Sequence, residues 1–575
     1  MLRKFDLKLL QDANLIKDAK TIQWSIANIK NDSGIDMDGN IVSFLLYKAS
    51  LAGVRTYDAF LAIDVEPKIV FQEYSKKIIT SDIWDRLTKM LDTYSAEAFA
   101  VAILTNCPSD GRNDYTTPKS VSELALKILS IKDGEKVADI GTGTGSFIIK
   151  ACKANNRASY TGYDLSTAAV DGALIRTSLL DADVEIRQGN VLDENVVPLH
   201  FYDKTFSNYP WGLWLGFNES SVALNFEEKT GIPHNKIPSD WIFNIAVLNS
   251  LKESGKAVVL MTTGSNQNRS SEQIREFFVK NGFVEAVISL PQNLFSFTNI
   301  ATDMLVLSRG NKSIRFVNAR EICQNGQRQQ KGRKQNEFSE ADIEKIVKLL
   351  AEDGKESKLL SIEDVKNCNF NLSPAFYFAD KIELENPERF GTVIKRITRG
   401  SNIKAGELDN ISSAEPTKYQ YVTLAHINNG LLAEELPYIK EISETEKKYC
   451  LKRNNIIISK NILPLKVALV SDIGNREILA SGNLFIIEID EEKANPAYIQ
   501  AFLSSRKGQA ILNRIAKGTT IKFISIDDLQ NMVISLPSRE EQDRIANTYY
   551  AALDDIKIAK IRLTRALDKI ASIMD

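Results

Sequence analysis

Apolar residues recur at three- and four-residue spacing through the first 110 positions, around Trp24, Phe44-Leu45-Leu46 and Ile83-Trp84, and predict a mainly helical N-terminal domain over 1–110. The pattern then changes. Val137-Ala138-Asp139-Ile140 is a short apolar strand that leads into Gly141, Gly143 and Gly145, with a helix from Ile148. Ser159–Tyr163 and Phe201–Phe206 read as further strands. Asp240–Phe243 opens a helix that precedes the strand Gly255–Met261, and Val284–Leu290 and Met304–Leu307 follow. The alternation predicts an α/β core over 111–320, followed by a connecting segment over 321–385. Tyr421–Ile427, with a turn at Asn428-Asn429-Gly430, then Asn454–Lys460, Ala480–Phe485 and Gly518–Leu529, predict a second α/β domain over 386–537. In the last helix, over 538–575, Ile545, Tyr549, Ala552, Ile556, Ala559, Leu563, Ala566, Ile570 and Ile573 alternate steps of four and three. That is coiled-coil spacing, and it also suits a helix packed back on its own domain.

Glycines at every second position after a strand allow a sharp turn and let a ligand approach the main chain with no Cβ in the way. The helix beyond them presents unpaired N–H groups. A plain tight turn has the same wording, so the neighbours decide. The strand from Ser159 ends at Asp164, roughly 20 residues past the glycines, where a carboxylate can accept both ribose hydroxyls of a nucleoside. A nicotinamide-dinucleotide fingerprint wants its third glycine where this chain has Ser146. Asp139 would crowd a pyrophosphate. It suits a cationic ligand such as S-adenosylmethionine, which carries an ammonium and a sulfonium.

The segment Phe201–Trp211 reads as a strand ending in a polar and then aromatic turn, Ser207-Asn208-Tyr209-Pro210-Trp211. It resembles the Asp-(x)4-Asn-Pro-Pro-aromatic signature of amino-group methyltransferases acting on adenine, with Asp203 and Asn208 at the right spacing and Tyr209 in place of the first proline. The chemistry explains the residue types. The adenine N6 lone pair is delocalised into the ring and is a poor nucleophile. An asparagine side-chain oxygen and the next backbone carbonyl can each accept one N6 hydrogen, which localises the lone pair and aims it at a methyl group. Tyr209 can supply that carbonyl as well as proline can. Pro210 would stiffen the turn and Trp211 would stack on a base swung out of the duplex. The alternative is a turn with a core tryptophan.

Composition and charge limit the partners. A chain of 575 residues is too long for one core. With a net charge of −2 there is no global basic field to attract nucleic acid, so any DNA contact needs local patches. From Arg309 to Lys334 there are eight basic residues and one acid, Glu321. Within that stretch, Gln324–Asn336 is polar and lacks apolar periodicity, which predicts a loop, either solvated or on phosphates. The five cysteines have no paired spacing and read as reduced thiols of a cytoplasmic protein. The three histidines are scattered and make no metal site; His426 reads as a sheet residue rather than a base. No apolar run is long enough to span a bilayer, and the start lacks a signal peptide's apolar core. Glu66-Pro67-Lys68 has no spaced acidic partner on a strand, so no nuclease motif is read.

From about 110 to 375, through Asn371–Tyr377, the order and wording of these segments resemble the modification subunit of type I restriction–modification systems. The resemblance implies a Rossmann-like methyltransferase core dependent on S-adenosylmethionine. Cofactor binding then falls to Thr117, Asp139, Gly141, Gly143, Gly145, Phe147, Asp164 and Asn190. Thr117 belongs to a Thr-Pro segment, Asn113–Val121, that closes over the cofactor or simply caps a helix. Asn190 stands where an aspartate is usual, with an amide oxygen that can still accept from the adenine amino group, or is a polar turn. Catalysis falls to Asn208, Tyr209, Pro210 and Trp211, with Phe295 as either a second wall for the flipped base or a core residue. The strands after Phe390-Gly391, together with Ile534–Gln542, resemble one target-recognition domain of the type I specificity subunit. The expected activity is therefore site-specific N6-adenine methylation of double-stranded DNA. The expected partner is a second copy through the last helix, and cleavage would need a separate restriction subunit. The alternative, motivated by Tyr209 and Asn190, is a catalytically silent methyltransferase fold that binds DNA. RNA or protein-glutamine methyltransferases share the asparagine logic but would not need the recognition domain.

Overall fold

The computed structural model describes the chain except for residues 1–4, 64–65, 70–74, 106–116, 214, 216–219, 296–297, 299, 324–326, 331–332, 379–381, 404, 434, 462–463, 472, 517–522 and 574–575. Asn113–Thr116 of the Thr-Pro segment, and residues 518–522 of the predicted C-terminal strand, thus lie outside the described residues. The fold divides into two units, Met1–Phe378 and Ala379–Asp575.

The first unit is built on β1 (Lys136–Ile140), β2 (Ser159–Asp164), β3 (Asp183–Gln188), β4 (Tyr202–Ser207), β5 (Leu251–Thr262), β6 (Val284–Ser289), β7 (Thr302–Leu307) and β8 (Ser313–Asn318). After these come β9 (Gln327–Gln330), β10 (Arg333–Asn336) and β11 (Ser357–Ser361). Among the described residues, nine strands form one sheet in the order β11-β8-β6-β7-β5-β4-β1-β2-β3. β1 to β5 run parallel, while β7 is antiparallel to both β5 and β6. The central strands are largely apolar because both faces are covered: every residue of β7 is buried. The strand order reverses between β1 and β4, and an α/β sheet opens a crevice at the carboxyl ends of such a pair.

The N-terminal helices do not form a separate core. Ile22, Ile26, Phe44, Trp84 and Phe99 bury themselves in one cluster with Val137, Phe147 and Phe206 of the sheet layer. Within the polar stretch expected as a loop, the described residues include two strands: β9 and β10 pair antiparallel, Arg333 opposite Gln330 and Asn336 opposite Gln327.

Among its described residues, the second unit holds two four-stranded sheets. One orders Ile394–Arg399, Leu484–Ile489, Ile456–Ser459 and Val467–Leu469; the other orders Ser412–Ser413, Tyr438–Ile439, Tyr419–Val422 and Glu477–Ala480. The predicted strand at Tyr421–Ile427 is interrupted, because Thr423 caps a short 3-10 turn at Leu424–His426. The last helix, Arg539–Ala571, divides the two readings of its stripe. Gln542, Ala546 and Leu553 are buried against their own unit. Beyond them the apolar residues stand out, with Ile556 37%, Leu563 60% and Ile573 70% exposed.

Candidate active site

The register of the sheet assembles the site. Ile140 at the end of β1 lies opposite Ser207 at the end of β4, so the glycine loop and the Asn208 turn leave the sheet side by side. Gly141, Gly143 and Gly145 all have positive φ, at 77°, 55° and 78°. A Cβ on Gly141 would stand 3.6 Å from Tyr209 Cα and 3.8 Å from the Asn208 carbonyl oxygen, so the two turns are in contact. A Cβ on Gly143 would meet nothing within 4 Å, which leaves that face of the loop open to a ligand.

The charged residues line up with this loop. Asp164 ends β2 and accepts from the Gly143 N–H at 2.8 Å and the Ser166 N–H at 2.9 Å. Leu165 beside it is 67% exposed, an apolar surface at the rim that the sequence did not single out. Asp139 is buried on β1 and accepts from the Thr142 hydroxyl at 2.7 Å. Burial, opposed by that hydrogen bond and reinforced by the Asp164 charge, pushes its carboxyl from 3.8 up to about 7. Two neighbouring carboxylates, one of them desolvated, form a donor set that fits a cationic ligand. Asn190, two residues past β3, is exposed and turns its side-chain oxygen back to the Leu192 N–H. Phe147 is in the core, stacked on Phe206 at 4.0 Å, so its side chain packs the sheet rather than lining the loop.

The Asn208 amide is oriented from outside its own turn. Its Nδ2 donates to the Thr117 hydroxyl at 2.9 Å, which makes Oδ1 the accepting end. Tyr209 sends its side chain away from the turn into the core. It stacks on Phe243 at 4.6 Å, and its hydroxyl donates to Asn244 Oδ1 at 3.0 Å. Burial and the Asp240 charge raise this phenol well above the ordinary tyrosine value, so it is a neutral donor. Pro210 is exposed and Trp211 is half-buried, its indole N–H bonded to the Leu260 carbonyl at 3.0 Å. Phe295 does not face Trp211 as a second wall. The rings meet edge to face, 4.9 Å apart at 85°, and Phe295 is buried, so no base fits between them in this arrangement.

Two buried aspartates brace this edge of the sheet, and the sequence reading missed the role of both. Asp240 accepts from the Gly212 N–H just after Trp211, and from Thr262 and Ser265. Asp303 accepts from Thr263, Asn266 and Ser289. The turn after β5 is therefore held by alternate residues on two carboxylates. Arg176, also buried, donates to Thr144 behind the glycine loop and to the Leu104 carbonyl. A signal existed for the two aspartates: each is the lone charge in an otherwise largely apolar helix or strand.

Tyr209→Phe keeps the stacking and removes the donor to a buried amide oxygen. It is expected to lower unfolding stability by roughly 1–3 kcal/mol, read by urea denaturation.

Comparison with known proteins gives the family context. Residues 97–386 match the family model for N-6 DNA Methylase, and residues 401–567 match the type I restriction modification DNA specificity domain. The chain is 25% identical over 322 residues to the type I restriction enzyme MpnII methylase subunit of Mycoplasma pneumoniae, covering 50% of this chain and 57% of that protein. It is 25% identical over 316 residues to the MjaVIII methylase subunit of Methanocaldococcus jannaschii, covering 50% and 53%. The chain thus spans a little over half the length of these curated relatives. Among solved structures, the type I restriction-modification system methyltransferase subunit from Streptococcus thermophilus superposes with a TM-score of 0.46 at 20% identity, over 61% of this chain and 82% of that one.

Proposed function

The chain belongs to the N-6 DNA Methylase family, and on that premise we propose that it methylates the N6 amine of adenine in DNA, at a site its own specificity domain reads. The observation that carries this reading is the contact between Gly141 and the Asn208–Tyr209 backbone, with Thr117 fixing the Asn208 amide. It brings a cofactor loop and a pair of amine acceptors to one point.

The residues take these roles. Asn208 Oδ1 and the Tyr209 carbonyl each accept one N6 hydrogen, so nitrogen presents its lone pair to the glycine loop. S-adenosylmethionine supplies an electrophilic methyl group on a sulfonium. Asp139 pairs with the ammonium, Asp164 with the ribose hydroxyls, and Leu165 offers an apolar wall to the adenine ring of the cofactor. Asn190 has its oxygen in a turn to the Leu192 N–H, and a second lone pair of that oxygen accepts the adenine amino hydrogen. Trp211 stacks on the extruded base. The silent-fold alternative is not favoured, since the Tyr209 side chain is directed into the core and its carbonyl remains part of the turn. Transfer of labelled methyl from S-adenosylmethionine to a DNA library tests the proposal, and a wild-type level equal to that of Asn208→Ala would end it.

Asp139 makes cofactor binding pH-dependent. In the folded chain it holds its proton from its ordinary 3.8 up to about 7, so its contribution to stability is present at low pH and lost as pH rises through that window. A cationic cofactor needs the ionised form and must expel the proton below pH about 7. Affinity by calorimetry is expected to rise about tenfold per pH unit below that point and then level off. In Asp139→Asn the pH dependence should vanish and binding should be weak throughout.

The exposed end of the last helix is proposed to pair with a second copy. Its acids Asp554 and Asp555 precede the bases Lys557, Lys560, Arg562, Arg565 and Lys569, with Asp568 the one acid among the last of these, so an antiparallel approach sets mainly opposite charges against each other. Two copies would supply two specificity domains and two catalytic cores, and read a two-part site with inverted halves.

A further inference from the structure

Trp211 stands where the chain leaves the sheet. Pro210 before it and Gly212 after it are both exposed. Gly212 has a φ of 63°, and a Cβ built on it would meet nothing within 4 Å. A glycine in open space is free to take many conformations, so the indole needs an outside reference to hold one position. Its own N–H supplies one, on the Leu260 carbonyl of β5. The main chain is held by a different group, the buried carboxylate of Asp240.

Asp240 and Asn244 lie four residues apart on the helix Ser239–Ser250, hence on one face, and both are buried. Asn244 Oδ1 accepts the Tyr209 hydroxyl, and Phe243 stacks on the Tyr209 ring. Asp240 Oδ1 accepts the Gly212 N–H at 2.9 Å. The residues on either side of Pro210-Trp211 therefore rest on a single turn of one helix. The other carboxylate oxygen of Asp240 faces the segment after β5. It accepts from the Ser265 hydroxyl at 2.6 Å and the Thr262 hydroxyl at 3.2 Å, while the Trp241 indole N–H donates to the Ser265 carbonyl at 3.0 Å. Leu260, which takes the Trp211 indole N–H, belongs to that same strand. One carboxylate thus ties the backbone after Trp211 to the element that holds its ring. A carboxylate suits this place because it accepts on both sides at once, and three donors offset the cost of burying it.

Resting on the reading of this chain as a DNA adenine methyltransferase, we propose that Asp240 is a positioning residue for capture of the extruded base. It acts through the Gly212 N–H and Trp211. By fixing the backbone that follows Trp211, it sets the indole in place before the adenine leaves the duplex. A wall that is already ordered spares the cost of ordering it at the moment of extrusion.

The test is single-turnover methyl transfer by the full chain to two duplexes carrying the sequence that the wild type methylates. In one the target adenine is paired; in the other it faces a mismatched base, which lowers the cost of extrusion. D240A is expected to slow transfer about tenfold to a hundredfold on the paired duplex and to recover most of that loss on the mismatched one, with S-adenosylmethionine affinity unchanged. D240N keeps an oxygen for the Gly212 N–H and should restore most of the rate. T262V/S265A removes the other two donors and spares Gly212, so it should unfold at lower urea yet transfer at the wild-type rate. If D240A does not fold, D240E takes its place: it keeps the charge, displaces the acceptor by one methylene and should show the same mismatch-dependent loss. An equal loss on both duplexes, or none on the paired one, overturns the assignment while the methyltransferase reading stands. If wild type methylates no DNA, that reading falls and takes the assignment with it.

Discussion

Asn208→Ala is expected to slow methyl transfer to DNA by about a hundredfold to a thousandfold, with S-adenosylmethionine still binding. The magnitude follows from the role. Removing one preorganised hydrogen-bonding group aimed at charge developing in the transition state typically costs about 10²–10³ in kcat. Here the group accepts an N6 hydrogen, and positive charge develops on nitrogen as it attacks. Preorganisation comes from Thr117, whose hydroxyl takes the Nδ2 donor and leaves Oδ1 as the acceptor. The loss should appear in kcat more than in KM, because the ground-state amine is only weakly held. Asn208 belongs to a turn that merely touches the glycine loop at Gly141, so calorimetry should return a cofactor affinity close to wild type. Equal loss of cofactor affinity and turnover would mean that the substitution collapses the loop, and that Asn208 is structural.

Ile556→Asp with Leu563→Asp is expected to convert a dimer of about twice the 64.3 kDa chain mass into a monomer by light scattering. These side chains are 37% and 60% exposed in the single chain, so the charges cost little there and fall wholly on the helix pair. The stripe contains Ala552, Ala559 and Ala566, which permit close approach and bury little area each, so the pair is of moderate strength. Affinity for a two-part DNA site should drop about a hundredfold, since the second half-site becomes a separate binding event. Affinity for a single half-site should not change. A wild type that is monomeric at micromolar concentration would remove this part of the account.

Much of the site was legible because its chemistry is local in sequence. A strand, three glycines and an acidic strand end mark a strand-to-helix turn within about thirty residues, and Asn208 to Trp211 is contiguous. What could not be read is long-range. Thr117 and Asn208 are 91 positions apart, and only the fold gives the threonine hydroxyl its task. Asp240 and Asp303 look like isolated polar residues in apolar segments until the turn at Thr262–Asn266 is laid between them. Phe147 follows the glycines closely enough to suggest a cofactor contact, but helical phase turns it onto Phe206. Strands β9 and β10 have no hydrophobic alternation to show, because Gln327–Gln330 and Arg333–Asn336 contain no apolar residue. The first half of the last helix packs back on its own unit, and its second half leaves the apolar stripe exposed.

Adenine methylation by this chain can be read by single-molecule sequencing of DNA treated with the full chain and S-adenosylmethionine. N6-methyladenine is expected at one recurring two-part sequence, with the same half-sequence inverted on the opposite strand, and at a far lower level with Asn208→Ala. Wild-type protein that binds the cofactor and DNA yet leaves no modified adenine above the level of that variant would contradict it.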